Sequence, residues 1–193
     1  MFTLSTLLED TMNIVLLTAV SRDAGHFTER ASTIADFISS QGNTLIHHEL
    51  SDMDIHYCTG CFNCWWKTPG KCIFSDDMEI LYPEILSADL LIFASPLIMG
   101  LPSYRIKQCQ DRLIPLLHPY ITLIKGECHH RKRYEKYPDI SLIVQKEPDT
   151  GTEDIQFLID LHHRLALNFH SKFRGIGATD MATEEVYHET CGL

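Results

Sequence analysis

The chain has 193 residues, enough for one domain with a sizeable core, and its 45% hydrophobic and 22% charged residues are an ordinary globular balance. A formal net charge of −10 argues against a nucleic-acid partner, whose phosphates want a basic face. No run approaches the roughly eighteen apolar residues of a membrane helix, and "MFTLSTLLEDTM" lacks the basic start of a secretory signal. The expected compartment is therefore the cytoplasm, where thiols stay reduced.

Residues 1–12 read as an N-terminal extension to a single domain spanning 1–193. "NIVLLTAV" (13–20) is a short apolar run rich in β-branched residues and predicts a buried strand. A polar loop with Gly25 follows. Phe27, Ala31, Ile34 and Ile38 then recur at helical spacing, and Gly42 should stop that helix. "TLIHHEL" (44–50) predicts a second strand. After a cysteine-rich segment, "SDDMEILYPEILSADLL" predicts a helix capped by Asp76, with Pro83 bending or shortening it. "DLLIFASP" (89–96) predicts the third strand, and a helix from about Pro102 should turn Ile106, Cys109, Leu113 and Leu117 inward. Between Leu117 and Asp139 the sequence predicts a long irregular excursion, whose basic "HHRKRY" (129–134) reads as a solvated loop. "DISLIVQ" (139–145), a long helix through Ile155–Phe169 and "KFRGIGA" (172–178) complete an alternation of strands and helices. Such alternation demands a mostly parallel sheet with helices on both faces.

Open parallel sheets bind ligands beyond the carboxyl ends of their strands, where strand order reverses. After the first strand, "AVSRDAGHFT" lacks the Gly-x-Gly-x-x-Gly of a dinucleotide site. It offers the hydroxyls of Ser21 and Thr28 and the guanidinium of Arg22 ahead of a helix N-terminus, which suits a monophosphate such as that of FMN. The same hydroxyls could serve only as helix caps. After the third strand, Pro96 and Gly100 flank Leu97, Ile98 and Met99. An irregular turn there could aim amides at a planar ligand and lay apolar side chains on its ring, or could simply pack into the core.

Cys58, Cys61, Cys64 and Cys72 crowd "YCTGCFNCWWKTPGKC" (57–72), four of the chain's seven cysteines. Seven is an odd number, which a full disulfide framework would not use. Compact thiolate runs serve iron–sulfur clusters, and zinc would accept the same four. Free cysteines also pack as small hydrophobes.

Taken in order, "NIVLLTAVSRDAGHFT", "CTGCFNCWWKTPGKCIFSDDM", "SADLLIFASPLIMGLPSYRIKQCQDRL" and "GECHHRKRY" resemble the flavodoxin-like NAD(P)H-dependent FMN reductases, a broad group that includes the iron–sulfur flavoproteins. The resemblance is strongest from Asn13 to Leu117. It implies an α/β flavodoxin-like three-layer sandwich with a five-stranded parallel sheet of order 2-1-3-4-5. It also implies FMN as cofactor and NAD(P)H as co-substrate. By position, Ser21, Arg22, Gly25, His26 and Thr28 would hold the phosphate, and Pro96, Leu97, Ile98, Met99 and Gly100 would meet the isoalloxazine. The first loop departs from the family's usual Ser-Pro-Arg and Gly-Asn-Thr pattern, having no proline and no asparagine.

The expected activity is an NAD(P)H oxidoreductase passing hydride to bound FMN and on to a small-molecule electron acceptor, with no side-chain acid or base required. The alternatives are an iron–sulfur flavoprotein electron carrier with a 4Fe-4S cluster on Cys58, Cys61, Cys64 and Cys72, and a flavodoxin-fold binding protein that has lost flavin. The resemblance does not require metal, so the thiols are read as a packed wall of the site, gathered beyond the carboxyl edge near the flavin. Trp65 and Trp66, beside that edge, point to a homodimer or dimer of dimers with no membrane partner.

Overall fold

The computed structural model describes residues 11–20 and 25–192. In chain order the elements are β1 (Asn13–Thr18), α1 (Gly25–Ser40), β2 (Thr44–Glu49), α2 (Asn63–Trp66), α3 (Met78–Ser87), β3 (Leu90–Ile98), β4 (Leu101–Pro102) and α4 (Tyr104–Asp111). They continue with β5 (Leu117–Ile124), β6 (Glu127–Lys132), β7 (Asp139–Gln145), α5 (Thr152–Asn168), β8 (Phe173–Ala178) and α6 (Thr183–Cys191).

Strands alternate their side chains between faces, so each central strand feeds two cores. Ile14 and Leu16 of β1 join Phe27, Ile34 and Ile38 of α1 and Val186 of α6. Val15 and Leu17 point the other way, to a core containing Met78 and Leu81 of α3, Ile106 and Cys109 of α4 and Leu158 of α5. Burial on both faces is why these strands read as continuous apolar runs. The strands run in the order β2-β1-β3-β7-β8, every neighbouring pair parallel. This is the flavodoxin-like three-layer order expected from the sequence. Among the described residues, no helix is long and apolar enough to cross a membrane.

Several local expectations are corrected. The excursion after Leu117 is not irregular: β5 and β6 form an antiparallel two-stranded sheet of their own. Helix α4 stops at Asp111 rather than reaching Leu117. A tight turn over Ile114–Leu116 follows, where Pro115 has no amide to continue a helix, although Leu113 and Leu117 are buried as expected. Helix α3 runs through Pro83 unbroken to Ser87; Asp77 holds its N-cap position, and Asp76, one residue earlier, accepts from the Met78 amide through Oδ1 at 3.2 Å.

The C-terminal helix α6 was not foreseen. It lies so close to β8 that a Cβ on Gly175 would come within 2.5 Å of the Glu189 carbonyl oxygen, and one on Gly177 within 2.7 Å of Val186 Cγ1. The alternating glycines of "RGIGA" are therefore the footprint of that helix on the strand.

Candidate functional site

Two places bring together the residues singled out by the sequence. The first is the carboxyl edge of the sheet. Ser21 and Arg22 lie outside the described residues. Gly25, His26 and Thr28 open α1, a helix of 16 residues whose first turn carries no acidic side chain, so none there opposes an anion at the positive end of its dipole. A Cβ on Gly25 would meet nothing within 4 Å, so the backbone is open on that side. His26 lines a cavity of about 450 Å³ together with Gln145 at the end of β7, Lys146, Glu147 and Thr150 after it, and Thr179 and Asp180 after β8. That volume is in the range of cofactor sites. Its far wall is tied to α1 by Arg30, whose guanidinium donates to the carbonyls of Thr179 (2.9 Å) and Met181 (2.6 Å) and to the Thr183 hydroxyl (2.8 Å).

Pro96, Leu97, Ile98, Met99 and Gly100 do not form the irregular turn that was expected. β3 continues through Pro96 to Ile98 and folds back on β4, with Ile98 opposite Leu101. The two residues between them, Met99 (φ 53°) and Gly100 (φ 74°), both take positive φ, the conformation of a two-residue hairpin turn that matches strand twist. Met99 carries that conformation without being glycine and projects 90% exposed at the tip. Leu97 is buried in the core, whereas Ile98 is exposed beside Met99. The Gly100 amide is not free to meet a ligand: it donates to Glu147 Oε2 at 3.1 Å. Glu147 therefore joins the hairpin to the cavity that His26 lines, a link the sequence reading missed.

The second place is the cysteine segment. Cys58, Cys61, Cys64 and Cys72 all line one pocket, with an enclosed volume of about 30 Å³, room for roughly one water molecule. Cys58 and Cys61 are exposed, Cys72 is half-buried and Cys64 is buried, so the pocket is open to solvent where Cys58 and Cys61 lie. Burial and the neighbouring thiols Cys72, Cys61 and Cys58 push the Cys64 thiol up to about 11. Cys61 is lowered, chiefly by a hydrogen bond from the Asn63 backbone.

The floor of this pocket includes Phe74, Arg112, Ile114 and Pro115. Arg112 is 1% exposed and pairs end-on with Asp76: Nη1 donates to Oδ2 at 2.7 Å and Nη2 to Oδ1 at 3.0 Å. Nη1 also donates to the His56 carbonyl at 2.7 Å, and the Tyr82 hydroxyl donates to the Arg112 carbonyl at 2.8 Å. Burial opposes the Asp76 charge, but hydrogen bonds from Arg112 and from the His56 amide hold its carboxyl below the usual range. Asp76 and Arg112 sit in the "SDDM" and "DRL" stretches of the sequence, but nothing local to either stretch announces that they pair. Trp65 turns inward, its Nε1 donating to the carbonyls of Leu117 (3.1 Å) and Ile114 (3.3 Å), whereas Trp66 is 70% exposed.

The thiols gather as expected, but not at the carboxyl edge. Helix α4 leaves that edge at Tyr104 and the pocket lies at its other end, about 12 Å along at 1.5 Å per residue. Among the described residues no three His, Cys, Asp or Glu side chains are placed to hold a single metal ion. One tetrahedral ion needs sulfurs roughly 3.8 Å apart. A cluster, which presents a separate iron to each thiolate, needs them spread. Four thiols around one pocket with an open side supply the cluster's donor set.

No protein-family model matches the chain. Over 105 residues, 54% of the chain, it is 29% identical to an iron–sulfur flavoprotein of Methanocaldococcus jannaschii, covering 53% of that protein. Over 107 residues, 55% of the chain, it is 28% identical to an iron–sulfur flavoprotein of Archaeoglobus fulgidus, covering 48% of it. The chain spans about half the length of the curated relatives it matches. Among solved structures, an NAD(P)H:quinone oxidoreductase from Methanothermobacter marburgensis superposes with a TM-score of 0.62 at 15% identity, over 87% of this chain and 84% of that one. These findings bear out the resemblance read from the sequence, and the structural one establishes the fold.

Proposed function

We propose that the protein is a flavin-dependent oxidoreductase that binds FMN at the carboxyl edge and holds an iron–sulfur cluster on Cys58, Cys61, Cys64 and Cys72. The observation that carries this reading is the convergence of all four cysteines on one pocket. The iron–sulfur flavoproteins among its relatives support it. When bound, FMN would supply hydride acceptance from NAD(P)H and release of single electrons, and the cluster would supply one-electron transfer. The chain's own part is to hold the phosphate at the α1 N-terminus, to present Ile98 and Met99 at the hairpin, and to offer four thiolates on the flank. The electron acceptor is a small molecule or a protein that reaches one of these two surfaces.

A second reading is favoured by one observation. Cys64 is buried and its thiol is pushed up to about 11, the behaviour of a packing residue. On that reading the chain is a cluster-free NAD(P)H:FMN reductase. Iron, acid-labile sulfide and flavin measured per chain after anaerobic purification separate the two. We expect about four irons, the content of a 4Fe-4S cluster, lost in Cys61→Ser while FMN binding persists. Bound FMN without iron would select the second reading, and binding of neither FMN nor FAD would reject both.

We also propose assembly as a homodimer or dimer of dimers through the surface that carries Trp66, since so large an exposed ring is typical of interfaces. A monomeric mass by light scattering at micromolar concentration rejects it.

A further inference from the structure

The Asp76–Arg112 pair leaves one guanidinium nitrogen, Nε, unused. An end-on pair occupies Nη1 and Nη2, and His56 takes a second bond from Nη1. Among the described residues, the buried Nε–H has no hydrogen-bond partner. A buried charged N–H without a partner is rare, and each one asks for an explanation. Here the residue that bears it lines the cysteine pocket, and its guanidinium carbon lies 5.4 Å from the centre of the Phe74 ring, another wall of that pocket. A ring face does not replace a hydrogen-bond acceptor. Cys72, one of the four thiols, lines that same pocket.

We propose that Arg112 Nε–H is a donor to the sulfur of the group held by Cys58, Cys61, Cys64 and Cys72, and that Asp76 fixes the guanidinium in that orientation. The proposal rests on the cluster reading above. Its physical content is a reduction potential. Reducing an iron–sulfur cluster adds negative charge, and a buried cation donating a hydrogen bond to its sulfur favours the reduced form. Asp76 engages both Nη atoms, so Nε is the one nitrogen of Arg112 without a partner among the described residues. Lysine could keep the ion pair with Asp76 but could not place an N–H at the Nε position.

The test uses the anaerobically purified or reconstituted protein and two variants that each preserve local charge: Arg112→Lys, and the double variant Arg112→Gln/Asp76→Asn. The cluster potential is read by redox titration followed by electron paramagnetic resonance. Both variants should shift the reduced-to-oxidised ratio at a fixed potential about tenfold toward the oxidised form, a one-electron shift of about 59 mV to more negative potential. A second measurement needs no variant. Wild-type protein labelled with ¹⁵N-arginine should show a nitrogen coupling to the reduced cluster in pulsed resonance spectra. An intact cluster with no ¹⁵N coupling and unchanged potentials overturns the role of Arg112 and leaves the cluster reading standing. A wild-type protein that holds no iron overturns the cluster reading, and this inference with it.

Discussion

At the carboxyl edge, a cavity of about 450 Å³ is walled by residues from α1, the loop after β7 and the turn after β8. On the flank, thiols from a single stretch of chain close around about 30 Å³. The edge site exists because parallel strands must deliver their connections to one side of the sheet, and its walls are far apart in sequence. The cysteine site is local in sequence, and what it lacks is a base. That base is Arg112 at the end of α4, held by Asp76 ahead of α3, so two helices of one layer fix a loop that has little secondary structure of its own. A site assembled by topology tolerates changes in any one loop. A local site resting on one buried ion pair does not.

Breaking that pair should have the largest effect. Asp76→Ala leaves the Arg112 charge buried and unpaired, which costs about 3–5 kcal/mol of stability, readable in a denaturant titration. The acid limb gives a second check. Asp76 titrates below its ordinary value, so its contribution is fully present above the unfolded value of about 3.9 and is lost as pH falls through the lower folded value. The variant should lack that part of the acid dependence. FMN affinity measured where the variant is folded should be unchanged, because sites well separated in space act independently. Loss of FMN binding in the folded variant would show that edge and flank are one unit.

Arg22→Ala probes the other side of the comparison. A charge-assisted hydrogen bond to phosphate is worth about 1.5–3 kcal/mol, so FMN affinity should fall by that amount while the iron content holds. Unchanged affinity would move the phosphate away from the first loop.

How much of this was legible in the sequence differs between the two regions for the same reason. The strands β1, β3 and β7 announced themselves because burial on both faces leaves an unbroken apolar run, their parallel sense followed from alternation with helices, and their order came from the family resemblance. The cysteines announced themselves by spacing. The Asp76–Arg112 pair did not, since its partners are 36 residues apart and each has an ordinary local role available, a cap for one and a solvated helix end for the other. Helix α6 left its only trace in the spacing of Gly175 and Gly177, which a strand pattern alone does not explain. The hairpin at Met99–Gly100 was hidden because Pro96 reads as a strand breaker. It sits instead at the last residue of β3 that faces β7, beside Gln145.

That hairpin supplies the smallest effect. Glu147 accepts the Gly100 amide and stands at the cavity wall, so it can preset the exposed Ile98 and Met99 for a ligand without touching the ligand itself. Glu147→Ala removes the acceptor and should cost about 0.5–1.5 kcal/mol of stability, the net worth of one such hydrogen bond. FMN affinity should fall less than tenfold, because only the cost of ordering the hairpin is added to binding. Glu147→Gln keeps a carbonyl oxygen in place and should behave nearly as the wild type in both measurements. If Gln and Ala weaken FMN equally, the carboxylate acts through its charge on the cavity rather than as a latch. If neither variant moves affinity, the hairpin is not part of the flavin site, and the ring must lie against the loop after β7 instead.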